Sequence, residues 1–182
     1  MPISKTSTKY LEYFGRFSVI IITGGSSGIG CSIIKAIINI NPDLLLCNLS
    51  RSKPEIFLGK NGLHYPVDLC DAQALAQKCE AIKQRIREAP KGKILLVNNS
   101  GFGDYGRFSD LESYKQLSMI DLNIRAVVDM TARLLPQMLD RGGTIVTVAS
   151  IAAFQPTPFL ATYGATKAFV RNWSLALSED LR

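Results

Sequence analysis

The sequence predicts an α/β protein: a parallel sheet wound on both faces by helices, about five strands in the order 3-2-1-4-5, in a single domain spanning residues 1–182. Three observations predict it. Short apolar runs alternate with amphipathic helical stretches from residue 18 onward, the pattern of repeated βαβ units with right-handed crossovers. The best runs, S-V-I-I-I at 18–22 and L-L-L-C-N-L at 44–49, are apolar almost throughout instead of alternating, which is how strands buried on both faces read. The chemically distinctive residues collect just after the strands, where open α/β sheets bind their ligands.

The elements follow in order. Residues 1–16 form a lead-in, partly helical around 9–14. Strand one covers 18–22, and a glycine loop leads into a helix over 28–40 that stops before Pro42, since proline cannot continue it. Strand two is 44–49. The next stretch, 50–62, is broken by Pro54, Gly59 and Asn61-Gly62 and is too short for a full helix. Strand three is 63–67. A polar helix over 71–89 carries Ala74, Leu75, Cys79, Ile82 and Ile86 on one stripe. Strand four is 94–97. A glycine-containing loop then leads to a long helical region, 110–139, with Asn123 inside it and Pro136 near its end. Strand five is 144–149, and the last helix starts near Ala161.

Composition excludes several classes. A hydrophobic fraction of 47% with 20% charged residues is that of a globular chain, not a disordered one. No apolar run reaches the length of a membrane span. The net charge is +6, compatible with a phosphorylated cofactor, but the basic residues are scattered and not interleaved with aromatics, which argues against nucleic acid as a partner. Cys31, Cys47, Cys70 and Cys79 contain no C-x-x-C pair and read as reduced thiols. The one histidine, His64, cannot build a multi-histidine metal site and is expected to be structural; no metal is expected. No signal-peptide core precedes the glycine loop, so a cytoplasmic protein is expected.

The organising stretch is T-G-G-S-S-G-I-G at 23–30. Strand, glycine turn, helix is the setting in which such glycines bind a dinucleotide pyrophosphate. Gly24 takes the tight turn, Gly28 lets the backbone approach the phosphates, and Gly30 lets the helix pack close to the strand. The helix N-terminus offers unpaired N–H groups to the anion. Tyr163 and Lys167, four apart in a helix, share a face. A tyrosine is ordinarily a poor acid–base group at neutral pH, and a nearby ammonium favours the phenolate. With a hydroxyl from Ser150 at the end of strand five, the set can protonate a carbonyl oxygen while a nicotinamide delivers hydride. Asn123 is unfavourable mid-helix by propensity, which hints at a purpose, with a solvent-facing Asn as the alternative. Strand two ends in N-L-S-R without a carboxylate to hold both ribose hydroxyls. Arg51, aided by Ser26, Ser27 or Lys53, could instead pair with a 2′-phosphate, so NADP is expected over NAD.

These residues together resemble the short-chain dehydrogenases/reductases, over almost the whole chain from about Phe17. T-G-G-S-S-G-I-G is similar to the family's cofactor loop, including Ile29, and N-N-S-G at 98–101 to its N-N-A-G, with Ser100 in place of alanine. Asn123, Ser150, Tyr163 and Lys167 fall in the order of its catalytic tetrad. The resemblance implies a Rossmann-type fold. It implies Tyr163 as general acid/base, Lys167 favouring its phenolate and holding the nicotinamide ribose, Ser150 orienting the substrate oxygen, and Asn123 supporting a water-linked proton relay. It places Asp68 and Leu69 near the adenine, and Asn99, Ser100 and Gly101 beside the adenosine ribose. The expected activity is carbonyl reduction of a small-molecule ketone, or its reverse, by a homodimer or homotetramer. The family continues past the helix bearing Tyr163 with further strands that this chain lacks, so a catalytically inert dinucleotide-binding module or a truncated fragment stands as the alternative.

Overall fold

The structure is a computed structural model that describes residues 13–182. Strands β1 (Phe17–Thr23), β2 (Leu45–Ser50), β3 (Asn61–Pro66), β4 (Lys93–Asn98) and β5 (Gly143–Thr147) form one parallel sheet in the order β3-β2-β1-β4-β5. The chain reverses its direction of winding between β1 and β4, which opens the crevice in which such sheets bind ligands. Among the described residues, five α-helices cover it: α1 (Gly28–Ile40), α2 (Ala72–Glu88), α3 (Ser113–Ile120), α4 (Ala126–Arg141) and α5 (Ala161–Asp180).

The apolar strand runs divide between two cores because successive side chains leave opposite faces. Val19 and Ile21 of β1, with Cys47, Leu49, Ile94 and Leu96, pack against Leu75, Cys79, Ile82 and Ile86 of α2 and Met130 and Leu134 of α4. Ile20 and Ile22, with Leu46, Leu95 and Val97, pack against Ile34, Ile37 and Ile38 of α1. Burial pushes the Cys47 and Cys79 thiols up, to about 12 and about 11 respectively, so both stay protonated and behave as small apolar side chains.

The helix ends are held by identifiable groups. Asp71 accepts hydrogen bonds from the N–H groups of Gln73 and Ala74, both at 2.9 Å, and starts α2. Arg141 closes the opposite end of the same layer: it donates to Ile86 O in the last turn of α2, to Pro90 O and Gly92 O in the loop that follows, and to Ser18 Oγ of β1.

The broken stretch between β2 and β3 contains no helix, as Pro54 and Gly59 predict. Every strand shifts by a residue or two at its ends, and three differences reach two residues or change an element. β3 begins at Asn61, because the Asn61-Gly62 pair joins the ladder opposite Leu45 and Leu46 instead of turning. β5 ends at Thr147, short of the expected 149. The long helical region is not continuous: a 3₁₀ turn (Phe108–Asp110) precedes it, and a π-helical turn (Asp121–Arg125) separates α3 from α4. The expected helical lead-in over 9–14 falls mostly outside the described residues.

Candidate active site

Three strand ends are knitted together at the carboxyl edge. Thr23 Oγ1, at the end of β1, accepts the backbone N–H groups of Asn99 and Ser100 at 3.0 and 2.9 Å. The Asn99 amide returns two bonds, to Thr23 O at 2.9 Å and Gly24 O at 3.3 Å. Gly24 N–H reaches Leu49 O at 2.8 Å, and Gly25 N–H reaches Asn48 Oδ1 at 2.9 Å. Gly24 and Gly28 have φ of 70° and 53°, which only glycine adopts freely. A side chain at Gly30 would stand 2.3 Å from Gly24 O, whereas one at Gly28 would meet nothing within 4 Å. The expected division of labour between close packing at Gly30 and open approach at Gly28 is therefore present in the backbone.

The second half of the site lies on α5 and the π turn. Asn123 is 1% exposed. Its amide oxygen accepts Phe102 N–H at 3.2 Å, and its amide nitrogen donates to Phe102 O and Thr166 Oγ1, both at 3.0 Å. Thr166 in turn donates to Tyr163 O at 2.8 Å. Lys167 is 5% exposed, with its ammonium donating to Val148 O at 2.8 Å and lying 5.9 Å from the Tyr163 ring centre. None of the ion pairs among the described residues includes it, and burial holds its amine below the usual lysine range. Glycines again allow the approach: a Cβ at Gly101 would sit 3.2 Å from Lys167 Nζ, and one at Gly103 would sit 2.9 Å from the Tyr163 ring.

Both halves open on one cleft of about 1110 Å³. Gly24, Ser26, Ser27, Gly28 and Ile29 line it at one side, Arg51, Asp68 and Leu69 at a second, and Asn99, Ser100, Gly101, Tyr163 and Lys167 at a third. Gly30 and Asn123 lie behind its walls. Ser150 stands at the end of the β5 segment, its Oγ accepting Ala152 N–H at 3.2 Å to cap a 3₁₀ turn (Ile151–Ala153), and it is not among the lining residues. The donor set fits a dinucleotide. Ser27 makes no side-chain cap bond to α1, so the first amides of a 13-residue helix face the glycine loop without that competitor. Among the described residues no cluster of three or more His, Cys, Asp or Glu could hold a metal ion.

Several contributors were not singled out from sequence. Thr23 and Asn48 both have legible signals, Thr23 being the polar residue that ends the apolar run of β1 and Asn48 a polar residue within the mostly apolar run of β2. Thr166 sits between Tyr163 and Lys167, where nothing local distinguishes it. Gly103 reads as one more loop glycine.

The family model described as short chain dehydrogenase matches residues 18–182. The chain belongs to the short-chain dehydrogenase family. Among curated relatives, it is similar to a very-long-chain 3-oxoacyl-CoA reductase of Phaeosphaeria nodorum, 31% identical over 95% of this chain and 53% of the relative. A probable NADP-dependent dehydrogenase of Haemophilus influenzae is 33% identical over 88% of this chain and 64% of the relative. The chain thus spans about half to two thirds of the length of these relatives. Among solved structures, the 3-ketoacyl-(acyl-carrier-protein) reductase of Brucella melitensis, complexed with NADH, superposes with a TM-score of 0.78 at 27% identity, covering 90% of this chain and 69% of that one. The short-chain dehydrogenase fold accounts for the strand order and for the placement of the glycine loop. Among the described residues, no helix is long and apolar enough to cross a membrane.

Proposed function

We propose that this chain carries the active site of an NADP(H)-dependent carbonyl reductase, interconverting a ketone and a secondary alcohol. The observation behind the reading is Lys167. A lysine ammonium withdrawn from water without a carboxylate is costly, and such groups concentrate where they act on something bound. It shares a helix face with Tyr163 and opens on the cleft that the glycine loop also lines.

Bound NADPH supplies the hydride. Tyr163 donates its hydroxyl proton to the carbonyl oxygen in reduction and takes it back in oxidation. The ammonium of Lys167, 5.9 Å from the Tyr163 ring centre, is the nearest positive charge to the oxygen that gives up the proton. The Ser150 oxygen accepts from Ala152 N–H, which leaves its own proton for a substrate oxygen that reaches past Val148 and Ala149 on the cleft wall to the end of the β5 segment. Asn123 holds the Phe102 backbone, and through Thr166 the helix bearing Tyr163, in a fixed relation.

NADP is favoured over NAD because β2 ends in Ser50-Arg51-Ser52, all three on the cleft, and without a carboxylate. The Arg51 guanidinium is exposed there and suits a 2′-phosphate. A 3-oxoacyl substrate is one member of the class, in keeping with the names of the Phaeosphaeria and Brucella relatives. The same reading includes a homodimer or homotetramer formed through apolar residues exposed on α3 and α5, such as Leu117, Ile120, Phe169 and Leu175, and a cytoplasmic setting in keeping with four unpaired cysteines.

The test is NADPH oxidation with a 3-oxoacyl thioester and with a simple ketone, for the chain and for Tyr163→Phe. The reading expects turnover that falls about 100-fold or more in the variant. A Tyr163→Phe protein that keeps most of its rate overturns the assignment of the acid. Tight NADPH binding without any oxidation assigns the chain a binding role instead.

A further inference from the structure

We infer that Arg125 is a positioning residue for the adenine end of the cleft. The inference rests on the proposed function in so far as a dinucleotide occupies that cleft.

After β3 the chain runs through Asp68, Leu69 and Cys70, which line the cleft, before Asp71 starts α2. This short wall is outside the sheet ladder. Its internal bonds are Cys70 N–H to Asp68 Oδ1 at 2.9 Å and Asp71 N–H to Asp68 O at 3.1 Å. The carbonyls of Leu69 and Cys70 receive no backbone N–H among the described residues, because Asp71 takes the first amides of α2. Arg125 fills both vacancies: one guanidinium nitrogen donates to Cys70 O at 2.6 Å and to Leu69 O at 3.2 Å. Its Nε is fixed by Asp121 Oδ1 at 3.0 Å, within the same π turn. The Cys70 thiol adds a weak contact to Ser118 O at 3.7 Å.

The π turn therefore grips two walls. Asn123 clasps the Phe102 backbone beside the catalytic groups, and Arg125, two residues later, clasps the Leu69–Cys70 backbone. Such turns arise where a helix must present side chains that a regular α-helix would misplace. The Asp68 carboxylate is the acceptor on this wall suited to an adenine 6-amino group. Its location depends on the two carbonyls that follow it, and these charge-assisted bonds are stronger than neutral ones.

The experiment is calorimetric titration of the chain with nicotinamide adenine dinucleotide phosphate and with its hypoxanthine counterpart, in which a carbonyl replaces the 6-amino donor. Wild type is expected to prefer the adenine form. In Arg125→Met the adenine form is expected to bind about tenfold or more weakly, the hypoxanthine form to change little, and the preference to fall toward unity. Arg125→Lys, which keeps the charge but not the fork, is expected to fall between. Asp121→Asn, which leaves Arg125 present but less firmly aimed, is expected to move the ratio the same way and serves if Arg125→Met does not fold. An adenine-to-hypoxanthine ratio unchanged in these variants overturns the inference, whether both affinities stay or fall together, since general damage to the fold would lower both equally. Wild type that binds neither dinucleotide overturns the cofactor reading as well.

Discussion

Gly25 donates its backbone N–H to Asn48 Oδ1 at 2.9 Å, tying the phosphate loop to the centre of the neighbouring strand. Asn48 is fully buried and completes its bonding through its amide nitrogen, to Ser50 Oγ at 2.9 Å and His64 Nδ1 at 3.2 Å. One side chain thus joins the glycine loop, the end of β2 and β3.

Asn48→Leu keeps the volume but strands the Gly25 N–H in the interior. A lost partner of this kind costs about 1–3 kcal/mol. Chemical denaturation is expected to show that loss, and calorimetry a weaker NADPH affinity. Unchanged affinity with lowered stability would make the tie purely structural.

Gly28→Ala and Gly30→Ala separate the two glycine roles. At Gly30 a Cβ overlaps the Gly24 carbonyl, so stability is expected to fall by about 1–3 kcal/mol. At Gly28 nothing is met, and the cost is the roughly 1–2 kcal/mol of a left-handed backbone. NADPH affinity should suffer in both, but for Gly28→Ala the loss of affinity should exceed what its melting temperature suggests. Comparing melting temperature with the calorimetric dissociation constant for each variant checks this.

His64 accepts from the Asn48 side-chain amide in its neutral form; burial, and to a lesser extent Lys53, holds its imidazole below the usual histidine range, opposed by a hydrogen bond with the Asn48 backbone. A histidine whose folded pKa is depressed binds protons more readily in the unfolded chain. Stability is therefore expected to fall as pH drops below about 6.5 and to level off once the folded form also protonates. His64→Gln removes the chain's one histidine, so the difference between the two melting profiles from neutral to mildly acid pH isolates the effect. Parallel profiles would refute it.

Lys167 is the same kind of liability in a more alkaline window. Burial depresses its amine, so the folded form releases its proton before the unfolded chain does. Stability at Lys167 should rise with pH between the depressed folded pKa and the ordinary lysine value of about 10.4. In Lys167→Met that rise is expected to vanish, while NADPH oxidation is lost. Melting temperatures at matched alkaline pH values, compared in a Tyr163→Phe background that removes the neighbouring phenol, decide it, because the more distant thiols and phenols common to both proteins cancel in the difference.

The sheet was legible because its signal is local and repeated. Five apolar runs separated by helical stripes leave few ways to bury every strand, and the observed order is the expected one. The glycine loop was legible for a similar reason: positive φ and close approach exclude other residues, so the glycines announce the geometry. That Tyr163 and Lys167 share a helix face was legible from their spacing, but spacing alone does not distinguish them from an exposed pair, and their expected roles came from the family resemblance.

What the tertiary structure decided are the contacts between parts distant in sequence. That Asn123 is buried and clasps Phe102 and Thr166, rather than facing solvent, depends on a π turn that no single-residue propensity encodes. That Thr23 pins Asn99 and Ser100, 76 and 77 residues away, and that Arg125 pins Leu69 and Cys70, 56 and 55 residues away, follows only once β1, β3 and β4 lie in one sheet. A polar residue in a strand or helix announces a need for a partner, because burial without one is costly. Which backbone group meets that need is set by packing, and packing is a property of the whole chain.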